Sequence, residues 1–203
     1  MLQQKNGNDP TFSQTTDYVP DVLPYPSNPL VQRVARLPLL LWRMGLGRLA
    51  GRLFLVLGTT GRKSGQPRYT ALEYHAWRGR KYVFSAWGDR AQWYKNIEAD
   101  PHATIQTWEG PEAVTVRRVT DDGELAEAFE LVEQNAAMRR WVALLGIDLN
   151  RDAFLAHKNR YHLLTFDPTE TPAPPPLETD LWWVGPVALG ALLAGWLRRK
   201  RGS

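Results

Sequence analysis

Short runs rich in β-branched and aromatic residues, separated by turn signals, constrain the fold of this chain more than any other feature. Such runs occupy residues 53–57, 68–77, 81–87, 102–108 and 113–120. Strands joined by turns as short as Arg78-Gly79-Arg80 pair antiparallel. Helices are predicted over 92–99 and 122–145, and a last strand over 161–166. We therefore expect a mostly β, α+β domain, built as a small barrel or strongly curved antiparallel sheet with peripheral helices.

The first 52 residues divide into two parts. Residues 1–29 are polar, contain five prolines and lack the apolar core of a signal peptide, so we expect a disordered terminus. Over residues 30–52, apolar positions recur at spacings of three and four while arginines fall on the other face, which predicts a basic amphipathic helix. Pro38 should kink this helix because its ring opposes the carbonyl of Val34. The helix either packs against the domain or lies on a membrane surface.

The C-terminal part has a composition of its own. Residues 169–180 are rich in proline and predict an extended, semi-rigid linker. Residues 181–197 carry no charge, have tryptophans near both ends and are followed by Arg198-Arg-Lys-Arg201. Residues 181–203 are thus expected to form a hydrophobic helix that anchors the chain in a membrane, although 17 residues are slightly short for a bilayer core.

The charge distribution favours lipid over nucleic acid as a partner. Residues 1–52 carry 6 basic and 3 acidic side chains, residues 181–203 carry 4 basic and none acidic, and residues 53–180 carry 15 basic and 18 acidic. The basic excess therefore lies beside the apolar ends of the chain, where anionic lipid would attract it. We expect attachment to the cytoplasmic membrane with the folded domain on its cytosolic face. The chain has no cysteine and its four histidines are scattered, so no metal site is predicted.

A glycine-flanked basic turn lies between the first two predicted strands. Gly61-Arg62-Lys63-Ser64-Gly65-Gln66-Pro67-Arg68 brings three cationic side chains to one turn, and its glycines permit close approach of the backbone. This pattern predicts an anion site. It is not a nucleoside-triphosphate loop, because Arg62 stands where that motif requires glycine and a strand follows where it requires a helix. Gly45-Leu-Gly47 formally fits a dinucleotide pattern but lacks the alternating strands and helices around it.

Three blocks in order resemble the deazaflavin-dependent nitroreductase and quinone reductase family over about residues 30–168. They are Thr59 to Arg68, then Ser85-Ala-Trp-Gly88, then Trp93-Tyr-Lys-Asn96 ahead of Ala99-Asp-Pro101. The resemblance implies a split β-barrel of the FMN-binding type, usually a homodimer. It also implies hydride transfer from reduced coenzyme F-420 to quinones, nitro compounds or activated alkenes. That coenzyme ends in a phosphodiester and a chain of glutamates, which suits a cationic turn.

The resemblance assigns roles by position. The coenzyme tail would be held by Arg62, Lys63, Ser64, Gly65 and Arg68, and its ring system bordered by Ser85, Ala86, Trp87, Gly88, Trp93, Tyr94 and Asn96. Hydride transfer to a quinone leaves an oxyanion, and Ser85, Tyr74 or Tyr94 would donate its proton or orient water. A lipophilic quinone is the expected acceptor because the anchor places the site at the membrane.

Three alternatives remain at this point. An FMN-dependent oxidoreductase of a related barrel would also need a phosphate site. A non-catalytic membrane protein that binds coenzyme or lipid would keep the basic turn and show no turnover. A nucleic-acid-binding barrel would place basic and aromatic residues on one face, which the acidic central body disfavours.

Overall fold

The computed structural model describes residues 36–187 apart from Ala86 and Gly185, with only the backbone described for Asp89. Within these residues, seven strands form one sheet. They are β1 (Phe54–Thr60), β2 (Pro67–Glu73), β3 (His75–Trp77), β4 (Arg80–Phe84), β5 (His102–Thr107), β6 (Gly110–Arg118) and β7 (Leu163–Pro168). Every pair of neighbouring strands is antiparallel, in the order β2-β1-β5-β6-β7-β4-β3. The predicted antiparallel sheet with peripheral helices is therefore confirmed.

The two edges of the sheet are formed by consecutive strands. β2 ends at Glu73 and β3 begins at His75, so Tyr74 alone links one edge to the other. The sheet must curl for one chain segment to reach both edges. No hydrogen-bonded pairing between β2 and β3 closes it within the described part of the chain. The prediction of a single strand over 68–77 was wrong, because this segment forms two strands that are separated at Tyr74.

Six α-helical segments accompany the sheet in the described residues. They are α1 (Leu37–Leu41), α2 (Gly47–Ala50), α3 (Gln92–Ala99), α4 (Asp122–Gln134), α5 (Ala136–Leu144) and α6 (Arg151–Ala156). The prediction for α3 is confirmed. The single long helix predicted over 122–145 is wrong, because the Asn135 side chain accepts hydrogen bonds from the backbone N–H groups of Ala137 and Met138 and begins a new helix. The strand predicted to reach residue 87 ends at Phe84, and a turn follows it.

The core has two parts, one on each face of the sheet. On one face, alternate residues of β1, β5, β6 and β7 pack with α3, including Leu55, Ile105 and Ile97. On the other face, α4, α5 and α6 cover β4 and β7 around Leu125 and Phe154. The sheet is therefore shielded on both sides, and α3 lies on the face that carries the first core.

The basic segment before β1 is helical but broken. A π-helical turn, Trp42–Leu46, separates α1 from α2. Pro38 lies in the first turn of α1, where its missing N–H costs nothing, so it starts the helix instead of kinking it. The predicted kink at Pro38 is wrong, and the break occurs at Gly45, which has φ 82°.

The proline-rich segment after β7 lies along the sheet. Residues 172–181, here called the strap, have no regular secondary structure. The Gln106 side chain bonds both the N–H and the C=O of Leu177, and the Tyr69 hydroxyl donates to the C=O of Pro175. The strap therefore covers β1 and its neighbours β2 and β5 and returns to the π-helical turn, where the Leu181 N–H bonds the Arg43 C=O.

The predicted disordered terminus, 1–29, lies outside the described residues, as does most of the predicted C-terminal hydrophobic helix. Within the described ranges, no helix combines the length and hydropathy needed to cross a bilayer.

Candidate functional site

A groove of about 1100 Å³ runs between the basic turn, α3, α1 and the strap. Its cationic lining residues are Arg36, Arg43, Arg62, Lys63 and Arg68, and the described residues that line it include no carboxylate. The rest of the lining is polar or apolar, with Ser64, Gln92, Asn96, Trp93, Tyr69 and Leu177 among its members. A groove of one charge sign attracts anions and repels cations.

The basic turn is held by its own backbone. The Gly61 N–H donates to the Gln66 C=O at 2.9 Å, and the Gly65 N–H donates to the Gly61 C=O at 2.7 Å. A Cβ on Gly61 would lie 2.9 Å from the Ser64 Oγ and 3.0 Å from the Gln66 carbonyl oxygen, so the turn closes only around glycine. Gly65 has φ 66°, a left-handed conformation that other residues rarely adopt.

Arg62 is aimed by side chains of α3. Its guanidinium donates to the Asn96 Oδ1 at 3.1 Å and to the Gln92 Oε1 at 3.0 Å. Asn96 is buried and donates in turn to the Thr59 hydroxyl on β1 at 3.1 Å. These neutral partners orient Arg62 without cancelling its charge, so the cation remains available to a ligand.

The other predicted members of the turn are exposed. The Ser64 Oγ accepts weak hydrogen bonds from the Gln66 N–H at 3.3 Å and from the Arg68 guanidinium at 3.4 Å. Lys63 forms no ion pair with any residue that the structure describes. Gly65 shapes the turn without lining the groove. The turn thus presents three cations that no carboxylate of the described residues neutralises.

Sequence reasoning missed half of the groove. Gln92 lies one turn of α3 before Asn96, a spacing that could have indicated a shared role. Arg36, Arg43 and Leu177 gave no such signal, because α1 and the strap meet the basic turn only in the folded chain.

The predicted ring-binding residues lie in two places. Trp93 and Asn96 line the groove with the basic turn. Ser85, Trp87, Gly88 and Tyr94 do not line it, and Ala86 lies outside the described residues. Ser85 is buried and its Oγ donates to the Gly88 C=O at 3.2 Å, while Trp87 packs partly buried against the first core.

Tyr94 belongs to a buried polar cluster with His162 and Arg118. The Tyr94 hydroxyl lies 2.8 Å from the His162 Nδ1, and the tyrosine is 1% exposed. Burial, with a smaller effect from the Arg118 charge, lowers the pKa of His162 to about 3. His162 is therefore neutral at physiological pH. Burial also lowers the pKa of Arg118, whose guanidinium donates to the carbonyls of Lys158 and Tyr161.

Tyr74 links the edges of the sheet and is buried. Its hydroxyl donates to the Gly51 C=O at 2.9 Å, and burial, aided by the Glu109 charge, raises its pKa. Each of the three predicted proton donors, Tyr74, Ser85 and Tyr94, thus has a hydrogen-bond partner inside the protein.

Comparison with known proteins finds similarity to one family. Residues 43–142 match the model of the F420H(2)-dependent quinone reductase family. F420H(2)-dependent quinone reductases from two strains of Mycobacterium tuberculosis, H37Rv and CDC 1551, are each 38% identical to the chain over 90 residues. The match covers 42% of this chain and 60% of each relative. The family resemblance predicted from the sequence is confirmed.

Solved structures resemble the chain more distantly. A structure of an F420-H2 dependent reductase has a TM-score of 0.43 and 20% identity, and the match covers 57% of this chain and 95% of that one. The heme storage protein HutZ from Vibrio cholerae has a TM-score of 0.40 and 16% identity, and the match covers 66% of this chain and 92% of that one. Likenesses at this level do not identify a function.

Proposed function

From the match of residues 43–142 to the F420H(2)-dependent quinone reductase family, we propose that the chain is an oxidoreductase that uses coenzyme F-420 to reduce a quinone. Nitro compounds and activated alkenes are further acceptors within the same proposal. The observation that carries it is the groove beside the basic turn, whose described lining has five cationic side chains and no carboxylate.

The residues of the groove suit the anionic tail of this coenzyme. The Arg62 guanidinium is oriented by Asn96 and Gln92, and a planar guanidinium can bond a phosphate or carboxylate through two N–H groups. Lys63 and Arg68 add exposed positive charge on the same turn, and Gly61 lets the chain close tightly there. Ser64 would offer its hydroxyl to the same anion, and Gly65 would hold the turn open to it.

When bound, the reduced coenzyme supplies a hydride to the acceptor. The chain's own contribution is to fix the tail, to orient the ring system and to exclude water from the reacting atoms. Trp93 and Asn96 extend from the groove toward the first core, and Ser85, Ala86, Trp87, Gly88 and Tyr94 border the ring in this proposal. The reduced acceptor needs a proton, and Ser85, Tyr74 and Tyr94 are the candidate donors, directly or through water, once each releases its present partner. Tyr94 is the most deeply buried of the three and is expected to be the least effective.

The finer description of the fold belongs to the same proposal. A sheet whose two edge strands are joined through Tyr74 is the arrangement from which a split barrel closes. A homodimer is also proposed, and sedimentation equilibrium of the full chain tests it.

Exposed apolar side chains on α1, α2 and nearby segments support a location at the cytoplasmic membrane, with the catalytic domain on the cytosolic face. These exposed side chains are Leu41, Leu46, Leu49, Leu53, Trp108, Trp182, Trp183 and Val187. Arg48 and Arg52 lie among them, and the Arg52 guanidinium is 5.9 Å from the centre of the Trp108 ring. Exposed apolar groups with neighbouring cations suit an anionic lipid surface and a lipophilic quinone dissolved in it.

The membrane part of the proposal is tested by co-sedimentation with lipid vesicles. We expect the full chain to bind vesicles with anionic lipid more strongly than neutral ones, and Leu49→Glu with Leu53→Glu to weaken that binding. Equal binding by the variant and the wild type would remove these exposed apolar side chains from the proposal.

The activity is tested by mixing the purified chain with menadione and, separately, reduced coenzyme F-420, reduced nicotinamide or reduced FMN. We expect menadione to be reduced only when the electron donor is reduced coenzyme F-420. Turnover with FMN would select the flavin alternative. Saturable coenzyme binding without turnover of any acceptor would select the non-catalytic alternative, and absence of binding by folded protein would overturn the proposal.

A further inference from the structure

The groove has a second cationic wall that no sequence motif indicated. Arg36 directly precedes α1 and Arg43 lies in the π-helical turn that follows α1, and both line the groove with the basic turn. They are seven residues apart, which is two helical turns and about 10 Å along one face. Arg36 lies outside the residues matched by the family model, and Arg43 is the first residue within them.

The two arginines differ in what they bind. Arg43 donates to both carboxylate oxygens of Asp180, at 2.7 and 2.5 Å. The side chains of this pair are 41% and 45% exposed. Arg36 forms no ion pair with a residue in the described part of the chain. One cation of this wall is therefore open, and the other is held by a carboxylate of the chain itself.

Asp180 is placed by contacts that do not depend on the Arg43 side chain. The strap is fixed to β2 and β5 through Tyr69 and through Gln106, whose side chain bonds both backbone groups of Leu177. Solvent-exposed ion pairs contribute little to stability. A ligand carboxylate could therefore replace Asp180 on Arg43 at small cost, while the strap keeps its position.

We propose that Arg36 and Arg43 form a second anion subsite, which binds the outer carboxylates of the coenzyme tail, and that Asp180 holds Arg43 until a ligand carboxylate replaces it. The identity of the ligand rests on the proposed function. The subsite itself rests on the two arginines, their shared groove with the basic turn and the exposed position of the Arg43–Asp180 pair. A polyanion bound there would be held by cations of two separate elements.

The proposal is tested by calorimetric titration of the full chain. The ligands are coenzyme F-420 with its glutamate tail, the same deazaflavin without phosphate or glutamates, and inorganic tripolyphosphate. The variants are Arg36→Gln and Asp180→Asn, and Arg140→Gln on α5 is the control because it removes one exposed cation away from the groove. Thermal unfolding of each variant shows that it is folded.

We expect Arg36→Gln to raise the Kd of the tailed coenzyme and of tripolyphosphate about fivefold to tenfold. Asp180→Asn should lower both Kd values about threefold, because the ligand no longer has to displace a carboxylate from Arg43. Neither change should alter binding of the tail-less deazaflavin, and Arg140→Gln should leave every Kd within a factor of about 1.5.

If Arg36→Gln and Arg140→Gln changed the Kd of the tailed coenzyme equally, the effect would come from net charge alone. That result would overturn the subsite and leave the proposed function intact. If Asp180→Asn left the Kd of the tailed coenzyme unchanged, the proposed replacement of Asp180 by a ligand carboxylate would be overturned. Tripolyphosphate binding that depends on Arg36, in a chain that binds no deazaflavin, would retain the subsite and remove the proposed function.

Discussion

The basic turn and the buried polar cluster use similar side chains in opposite ways. In the turn, Arg62 and Lys63 are exposed, and the bonds that hold the turn come from the backbone and from neutral side chains. In the cluster, Tyr94, His162 and Arg118 are nearly inaccessible and bond to one another or to internal carbonyls. The turn leaves its charges available to a partner, whereas the cluster uses its polar groups within the protein.

This difference separates binding from stability. A group that is already bonded and buried must break a native interaction before it can act on a ligand, and that costs free energy. An exposed cation loses only water and mobility. We therefore expect substitutions in the turn to change affinity and substitutions in the cluster to change the free energy of unfolding.

The largest expected effect is on coenzyme affinity. Arg62→Ala with Lys63→Ala removes two charged contacts, each contributing about 1.5 kcal/mol, so the Kd of the tailed deazaflavin should rise about 100-fold. The free energy of unfolding should fall by only about 1 kcal/mol, because both side chains are exposed and the loss is limited to the hydrogen bonds of Arg62 with Asn96 and Gln92. Fluorescence titration and chemical denaturation measure the two quantities. Arg139→Ala with Arg140→Ala on α5 is the matched control, and an equal loss of affinity in that control would remove the assignment of the turn.

The second effect is the pH dependence of stability caused by His162. Its pKa is about 3 in the folded chain and about 6.5 when unfolded, so the unfolded chain takes up a proton that the folded chain does not. The contribution of His162 to the free energy of unfolding is fully present above about pH 6.5 and is lost as the pH falls toward 3. Between pH 7 and pH 5 this residue should account for a loss of about 2 kcal/mol. Denaturation at several pH values measures the loss.

Substitution of His162 tests the role given to this residue. His162→Gln should flatten the pH dependence of the unfolding free energy between pH 7 and pH 5. If His162→Gln does not fold, NMR titration of the wild type gives the same information. A measured pKa of His162 near 6.5 would contradict the role given to burial.

The parts that the sequence predicted well are governed by local chemistry. The basic turn was found because Gly61 and Gly65 allow a tight bend and the cations lie within eight residues of one another. Helix α3 was predicted with its bounds because Asp100-Pro101 ends it, proline being unable to continue the backbone ladder. The break at Asn135 was missed although asparagine favours helix starts, because the apolar residues of α4 and α5 continue one periodic pattern.

The parts that were missed depend on contacts between distant residues. The strap was interpreted as a spacer because its prolines indicate an extended chain, but Gln106 bonds it from 71 residues away. No sequence pattern around Arg36 or Asp180 indicates that α1 and the strap border the same groove, as they do in the structure. A sequence pattern can thus identify the first cationic wall, while the second requires the fold.

The third effect tests whether the buried cluster also takes part in catalysis. Tyr94→Phe removes the hydroxyl bonded to His162 and should lower the free energy of unfolding by about 1.5 kcal/mol. Because the tyrosine is 1% exposed and already bonded, we expect the turnover rate with menadione to stay within about threefold of the wild type. Stopped-flow kinetics and denaturation measure these values. If turnover slowed by about 100-fold at unchanged stability, the size expected for loss of a general acid, Tyr94 would be the proton donor and the distinction between the two regions would end.

The smallest effect concerns the shape of the basic turn. Gly65 and Gly146 have almost the same left-handed φ, 66° and 65°, and a Cβ on either would meet nothing within 4 Å. Each change to alanine should therefore cost about 1 kcal/mol of stability from backbone strain alone. Only Gly65→Ala should also weaken coenzyme binding, by about twofold to threefold, because the strain shifts Lys63 and Ser64. Unchanged affinity in Gly65→Ala would mean that the charges of the turn bind the ligand without needing its left-handed bend.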